Sequence, residues 1–318
     1  MDIDVSALKS APKWSEDNEK IIREPFDYLK SSNGKEFRTA LIDSFNQILK
    51  VPSADLQTIT QIIGILHNAS LLVDDVEDGS KLRRGNPVAH EIFGVAMTIN
   101  TANYMYFKAF QKALELGSEA VEILNEEFLN LHRGQALDLY WRESLICPTE
   151  EEYVDMVMNK TGGLFRLSIR LMEQKSHLTS IQKSFVPLVN LLGISYQIKD
   201  DYINLSNTQY FTNKGYCEDL KEGKFSFPII HAIRYDQSNK EVISILSKRT
   251  DDVELKNHVV TYMKTVSKSF EYCEATLQKL EANAILLMNE IVNENPDFKE
   301  DTKSIELLKV IIKKICAL

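Results

Sequence analysis

The sequence predicts an all-α protein, a single-domain bundle of ten or more helices around a central cavity. Three observations carry that prediction. The chain has 318 residues, enough for one large domain or two ordinary ones at ~100–200 residues each, and no low-complexity linker divides it, so residues 1–318 are read as one domain. It has only 12 glycines and 8 prolines, roughly 6% of the chain against a usual ~12%, too few for the tight turns of a sheet-rich fold. Apolar residues recur at spacings of three and four in segment after segment, the period of an amphipathic helix.

The segments follow in order. The first, 56–73, starts after Pro52 and stops near Gly79, a residue suited to the turn just past a helix. Segments 98–116 and 119–140 come after the break at 79–87. Cys147-Pro148 precedes 150–172, which ends before 176–179. Segment 185–203 contains the longest apolar stretch, 185–198, yet Pro187, Asn190 and Ser195 leave it too short and too polar to cross a bilayer. After a mixed stretch at 206–223 come 227–235, 241–246, 252–292 and 302–315. No transmembrane segment is therefore expected.

Charge and cysteine content narrow the function. Lys and Arg total 37 against 46 Asp and Glu, a net charge of −9, so the overall field does not attract nucleic acid. A small phosphate-bearing substrate is still compatible if basic residues gather locally. Cysteines 147, 217, 273 and 316 are scattered and form no CxxC pair. That suggests neither a zinc ribbon nor a disulfide framework, and fits a reducing, cytoplasmic setting. The acidic start, with no apolar core, is neither a secretory nor a mitochondrial address. Cys316 stands third from the end, where prenylation needs it fourth.

The sharpest feature is Asp74-Asp75-Val76-Glu77-Asp78, at the end of the first apolar segment. Asp74 and Asp78 are i and i+4, on one helical face. Carboxylates at a helix C-terminus oppose the macrodipole and repel one another, and a sequence that breaks two local rules at one place invites a functional reason. Asp200-Asp201-Tyr202-Ile203-Asn204 repeats the pattern after segment 185–198. If the two helices share a direction, their acidic ends meet at one mouth of the bundle. Carboxylates there suit magnesium, which takes one or two of them plus substrate phosphates.

Basic residues stand near both clusters. Arg83-Arg84-Gly85 follows the first by a short loop, and beside a magnesium site it reads as a diphosphate clamp. Lys35 and Arg38 flank a helix start, where backbone N–H groups also favour anions. Lys160-Thr161-Gly162-Gly163, Lys214-Gly215 and Glu222-Gly223-Lys224 are individually commonplace. His67 lies two turns before Asp74 on the same face.

These motifs, taken in order with Gly134-Gln135, Asp138 and Tyr196-Gln197, resemble the trans-isoprenyl diphosphate synthases over roughly residues 30–235. Within that family the chain is most similar to geranylgeranyl diphosphate synthases of the fungal and animal type. The resemblance implies the isoprenoid synthase fold and a prenyltransferase that condenses isopentenyl diphosphate with dimethylallyl, geranyl or farnesyl diphosphate. It implies two to three Mg²⁺ ions held by Asp74, Asp75, Asp78, Asp200 and Asp201, with Asp74, Asp78, Lys160 and Asp200 catalytic. Lys35, Arg38, His67 and Arg84 would bind isopentenyl diphosphate. Arg83, Lys160, Thr161, Gln197, Asn204, Lys214 and Lys224 would bind the allylic diphosphate. A homodimer or an assembly of dimers is implied as well.

Many members carry aspartate where this chain has Asn204, which shifts the expected metal ligation onto Asp200 and Asp201. Product length is expected to be set by an apolar tunnel below Asp74. Ala69 and Ser70 are small and leave it open, and Tyr106, Phe107 and His132 are candidates for its floor. Each isoprene unit adds on the order of 4 kcal/mol of tunnel binding, at ~0.8 kcal/mol per buried CH₂, so a blocking ring controls length. The twenty-carbon product is expected rather than the fifteen-carbon one of a farnesyl diphosphate synthase. A terpene cyclase is disfavoured by the residues suited to a second diphosphate, and a non-catalytic partner subunit by the complete first cluster.

Overall fold

The structure is a computed structural model. It describes residues 9, 11, 13–31, 36–178, 181, 183–206, 216–298 and 302–318, with residues 31 and 36–38 by backbone only. Among them are fifteen α-helices and one two-stranded ribbon. The helices that position the site are α2 (Glu36–Leu49), α3 (Ser53–Glu77), α5 (Val95–Leu114), α6 (Ser118–Ser144), α7 (Glu150–Lys160), α8 (Gly162–Lys175), α9 (Val186–Ser206), α10 (Glu218–Glu222) and α11 (Phe227–Tyr235). The chain closes with α13 (Val253–Thr265), α14 (Ser269–Glu294) and α15 (Thr302–Cys316).

Local chemistry explains several boundaries. A capping box starts α7: Thr149 accepts from the Glu152 N–H and Glu152 reaches back to the Thr149 N–H, satisfying two donors that a helix start leaves open. Segments 150–172 and 252–292, each read as one helix, are divided in two. The first breaks at Thr161 and the second between Thr265 and Ser269. Residues 79–87 are more than a break. Leu82–Arg83 pairs antiparallel with Asn86–Pro87, and Arg84 and Gly85 between them have φ of 55° and 79°, the two positive φ values of a tight hairpin turn.

Helix α3 buries Ile59, Ile62, Ile63, Leu66, Ala69 and Leu72, each large side chain contributing about 1.5–3 kcal/mol. It packs on α5 and α8, and α8 packs in turn on α9. Two apolar cores result. One gathers α2, α3, α5, α8, the first half of α9 and α15; the other gathers α7, the second half of α9, α11 and α13. Among the described residues one helix, α3, is long and apolar enough to cross a bilayer, and the 185–198 stretch is not. The acidic end and cavity-lining side of α3 are used within the fold.

Candidate active site

One cavity of about 920 Å³ is lined by the ends of both acidic helices. From α3 come His67, Ser70, Asp74 and Asp78; from α9 come Tyr196, Gln197 and Asp200. The two carboxylate clusters thus share one mouth, as their matching position at helix ends predicts. Arg83, Arg84, Lys160, Thr161 and Lys224 also line it, so most of the expected cations and dipoles converge.

The cations are held by carboxylates. Lys160 Nζ lies 2.6 Å from Asp138 and 3.8 Å from Asp74. Lys224 Nζ lies 3.1 Å from Asp201 and 3.9 Å from Asp219. These neighbours hold both lysines above the usual ammonium range despite the opposing effect of burial. Thr161 donates to the Gln197 carbonyl at 2.6 Å, and the Gln197 amide donates to Asp201 at 2.8 Å. Burial pushes the Asp78 carboxyl up to about 8, helped by Asp74 and Glu222 and opposed by Lys160 and Arg142.

Five expectations are corrected. Asp75 is only 1% exposed, does not line the cavity, and accepts from Arg83 Nε at 2.8 Å and Nη2 at 2.5 Å. Asp201 is fully buried and accepts from Tyr153, Gln197, Lys224 and the Phe227 N–H. Both are anchors for protein groups rather than metal ligands facing the cavity. Asn204 is 4% exposed, does not line the cavity, and its side-chain oxygen accepts from the Asp219 N–H at 3.2 Å, which braces α10. Ala69 is sealed in the core and does not line the cavity. Phe107 is 74% exposed on the outer face of α5 and forms no tunnel floor.

The other residues expected to set chain length lie in the cavity wall. Ser70 stands one turn below Asp74, and Tyr106 and His132 line the cavity. Phe128, which the sequence reading missed, completes their ring cluster at centroid distances of 4.6 Å from Tyr106 and 4.7 Å from His132. Lys35 and Lys214 lie outside the described residues. Arg38 falls in the first turn of α2, where only the backbone is described.

The sequence reading names Gln135 and Asp138 only as part of the resemblance, gives them no role and misses Arg142; together they form a polar seam on α6. Gln135 donates to Glu77 at 2.7 Å, Asp138 accepts from Lys160, and Arg142 donates to Asp78 at 2.6 Å. Their spacing of three and four is legible as one helix face, although nothing local says what that face meets. Gly134, one turn before Asp138, lets α6 approach: a Cβ there would stand 2.4 Å from the Lys160 backbone nitrogen.

The donor set of Asp74, Asp78 and Asp200, all carboxylates at one mouth, fits a hard divalent cation. Among the described residues no three carboxylate, histidine or cysteine groups converge closely enough to hold a metal alone. A cation there would draw further ligands from substrate oxygens, the habit of magnesium.

Comparison with known proteins agrees. The chain is 54% identical over 285 residues to the geranylgeranyl pyrophosphate synthase of Hypoxylon pulicicidum, covering 89% of this chain and 73% of that one. It is 50% identical over 291 residues to that of Fusarium fujikuroi, covering 91% and 68%. It is 55% identical over 268 residues to that of Macrophomina phaseolina, covering 84% and 82%. The polyprenyl synthetase family pattern matches residues 19–263, and with helices that bring two carboxylate clusters and their cations to one cavity, the chain belongs to the polyprenyl synthetase family.

Proposed function

We propose that the protein condenses isopentenyl diphosphate with allylic diphosphates to make geranylgeranyl diphosphate. The observation that carries this reading is a single cavity with a charged mouth and an apolar depth. At the mouth Lys160 and Lys224 face the allylic diphosphate, and Arg84 and His67 face isopentenyl diphosphate; the family resemblance adds Lys35 and Arg38 to the second set. Asp74, Asp78 and Asp200 would hold Mg²⁺, which would supply positive charge to neutralise the departing diphosphate.

Lys160 and Lys224 stabilise the same charge from the protein side, in a partly water-excluded pocket where a fixed cation is worth more than in water. The Thr161 hydroxyl and the Gln197 amide turn their dipoles toward the carbon that becomes cationic. The hydrocarbon runs down past Ser70 to Tyr106 and His132, buttressed by Phe128. Helix α9 contributes to both apolar cores and also lines the cavity, which supports treating residues 1–318 as one domain.

The protein acts as a homodimer or an assembly of dimers. Support comes from the outer faces of α5 and α6, where Phe107, Leu114 and Tyr140 are 74%, 66% and 57% exposed, an apolar surface of the kind that marks a partner. All four cysteines are free, which supports a cytoplasmic enzyme.

The deciding experiment incubates purified protein and Mg²⁺ with isopentenyl diphosphate and each allylic starter, then chromatographs the dephosphorylated products. Twenty-carbon product is expected. Product ending at fifteen carbons would make it a farnesyl diphosphate synthase. An allylic substrate consumed without isopentenyl diphosphate would point to a terpene cyclase, and no turnover would point to a non-catalytic subunit.

A further inference from the structure

The break between α7 and α8 places Lys160 and Thr161 at the cavity. A helix that stops leaves its last carbonyls without intrahelical partners. Here the Met158 carbonyl, in the last turn of α7, accepts from Arg166 Nη1 at 2.6 Å. The same Nη1 lies 3.1 Å from the Asn190 side-chain oxygen on α9. The rest of the guanidinium is gripped by Glu127 of α6, with Nε at 3.0 Å and Nη2 at 2.7 Å from Oε2. Glu127 is 3% exposed, and Arg170 also donates to it at 2.8 Å.

Gly162 makes the arrangement fit. A Cβ at that position would stand 3.0 Å from Arg166 Nη1, and one at Gly163 would stand 3.3 Å from the Glu127 carbonyl. Neither Glu127 nor Arg166 lines the cavity, so neither meets substrate.

We infer that Glu127 and Arg166 are positioning residues for the allylic diphosphate: the carboxylate fixes the guanidinium, the guanidinium holds the last turn of α7 against α6 and α9, and Lys160 and Thr161 are thereby aimed into the cavity. This rests on reading the cavity as the prenyl-transfer site. A buried ion pair that served stability alone would be replaceable by apolar residues, often at no cost. One that aims a loop would not be.

The test uses the full chain and the paired variant Glu127→Leu/Arg166→Met, with Arg170 left to its other partner, Glu126. The pair variant should melt close to wild type. Its kcat/KM for the allylic diphosphate should fall at least tenfold, while KM for isopentenyl diphosphate stays within twofold. Thr161→Val should cost much less in this background than in wild type, because its hydroxyl is already misplaced. Arg166→Lys keeps a cation opposite Glu127 and should show a smaller loss of the same kind, which covers the case of a pair variant that does not fold.

Wild-type kinetics in every folded variant, equal rises in both KM values, or strictly additive losses with Thr161→Val would each overturn the inference. Lys160→Ala separates the two readings. If it turns over at least a hundredfold more slowly while the pair variant is silent, the positioning role alone is lost. If Lys160→Ala runs at the wild-type rate, the cavity is not the site and the inference goes with it.

Discussion

At the end of α3, Asp74 lines the cavity, Asp75 is sealed around Arg83, and Asp78 returns to the cavity beside Arg142. At the end of α9, Asp200 lines the cavity and Asp201 is sealed around Lys224. The third position, Asn204, is then covered by the start of α10. In both clusters the middle carboxylate holds a cation in place, and the first lines the cavity. The difference lies at the third position. Helical spacing puts it on the face of the first, yet what packs over that turn decides whether the face stays open. A cluster of aspartates is therefore a set of distinct electrostatic tasks, and the task of each follows from its neighbours.

The comparison predicts two kinds of loss. Asp74→Ala, Asp78→Ala and Asp200→Ala should each lower turnover by about a hundredfold or more, as expected for removing charge-stabilising groups from a transition state, with helical circular dichroism intact. Near-normal turnover in all three would break the division. Asp201→Asn and Asp75→Asn should instead cost stability, on the order of 3–5 kcal/mol, because breaking a buried pair strands its partner's charge. Denaturant unfolding would read this, and unchanged midpoints would show that neither carboxylate anchors its cation.

One turn below the clusters the helices differ again. Below Asp74 stands the small Ser70, and below Asp200 stands the ring of Tyr196, both lining the cavity. Ser70→Phe gives α3 a ring at the matching level and should shorten the product to fifteen carbons. The same ring at Ala69, sealed in the core, should overpack it by roughly 1–3 kcal/mol and leave product length alone. Chromatography of the products of both variants tests the tunnel's direction, and a shortened product from the Ala69 variant alone would reverse it.

Proton linkage separates the third positions. Asp78 is held near 8 where the free side chain titrates at 3.8, so the folded, metal-free protein keeps a proton that the unfolded chain gives up. Its contribution to stability is complete below about 3.8 and is lost as pH rises through about 8, a fall of at most ~1.4 kcal/mol per pH unit. In Asp78→Asn the melting temperature should fall less over that window than in wild type. An unchanged slope would show that Asp78 is ionised throughout. Asn204 has no such proton. The smallest effect is expected from Asn204→Asp, which keeps the acceptor for the Asp219 N–H; kcat should stay within about threefold, and a large gain would place position 204 at the metal after all.

Much of this was legible in the chain itself. Periodicity located α3, α5, α6 and α9, because a helix that buries one face must space its apolar residues at three and four. The acidic ends of α3 and α9 stand out because they contradict the helix dipole, and Arg83-Arg84 beside the first reads as a diphosphate clamp, whereas only the family resemblance brings Lys160-Thr161 to the site. The breaks at Thr161 and between Thr265 and Ser269 were not legible. Apolar spacing continues through them, and the interruption at Thr161 is held by Arg166 only because Glu127, from a distant part of the sequence, fixes its guanidinium.

Sequence alone determined the fold class, the two carboxylate clusters and the chemistry that they suit, since residue type and local spacing fix helix faces and charge. The tertiary structure decided which carboxylate faces the cavity and which is sealed. It also turned Ala69 inward while Ser70 met the tunnel, set Phe107 on the outer surface, and enlisted Asp138, Arg142 and Phe128. Adjacent residues on a helix differ by about a quarter turn, and only the packing of α5, α6 and α10 against those faces determines which direction is core, cavity or solvent.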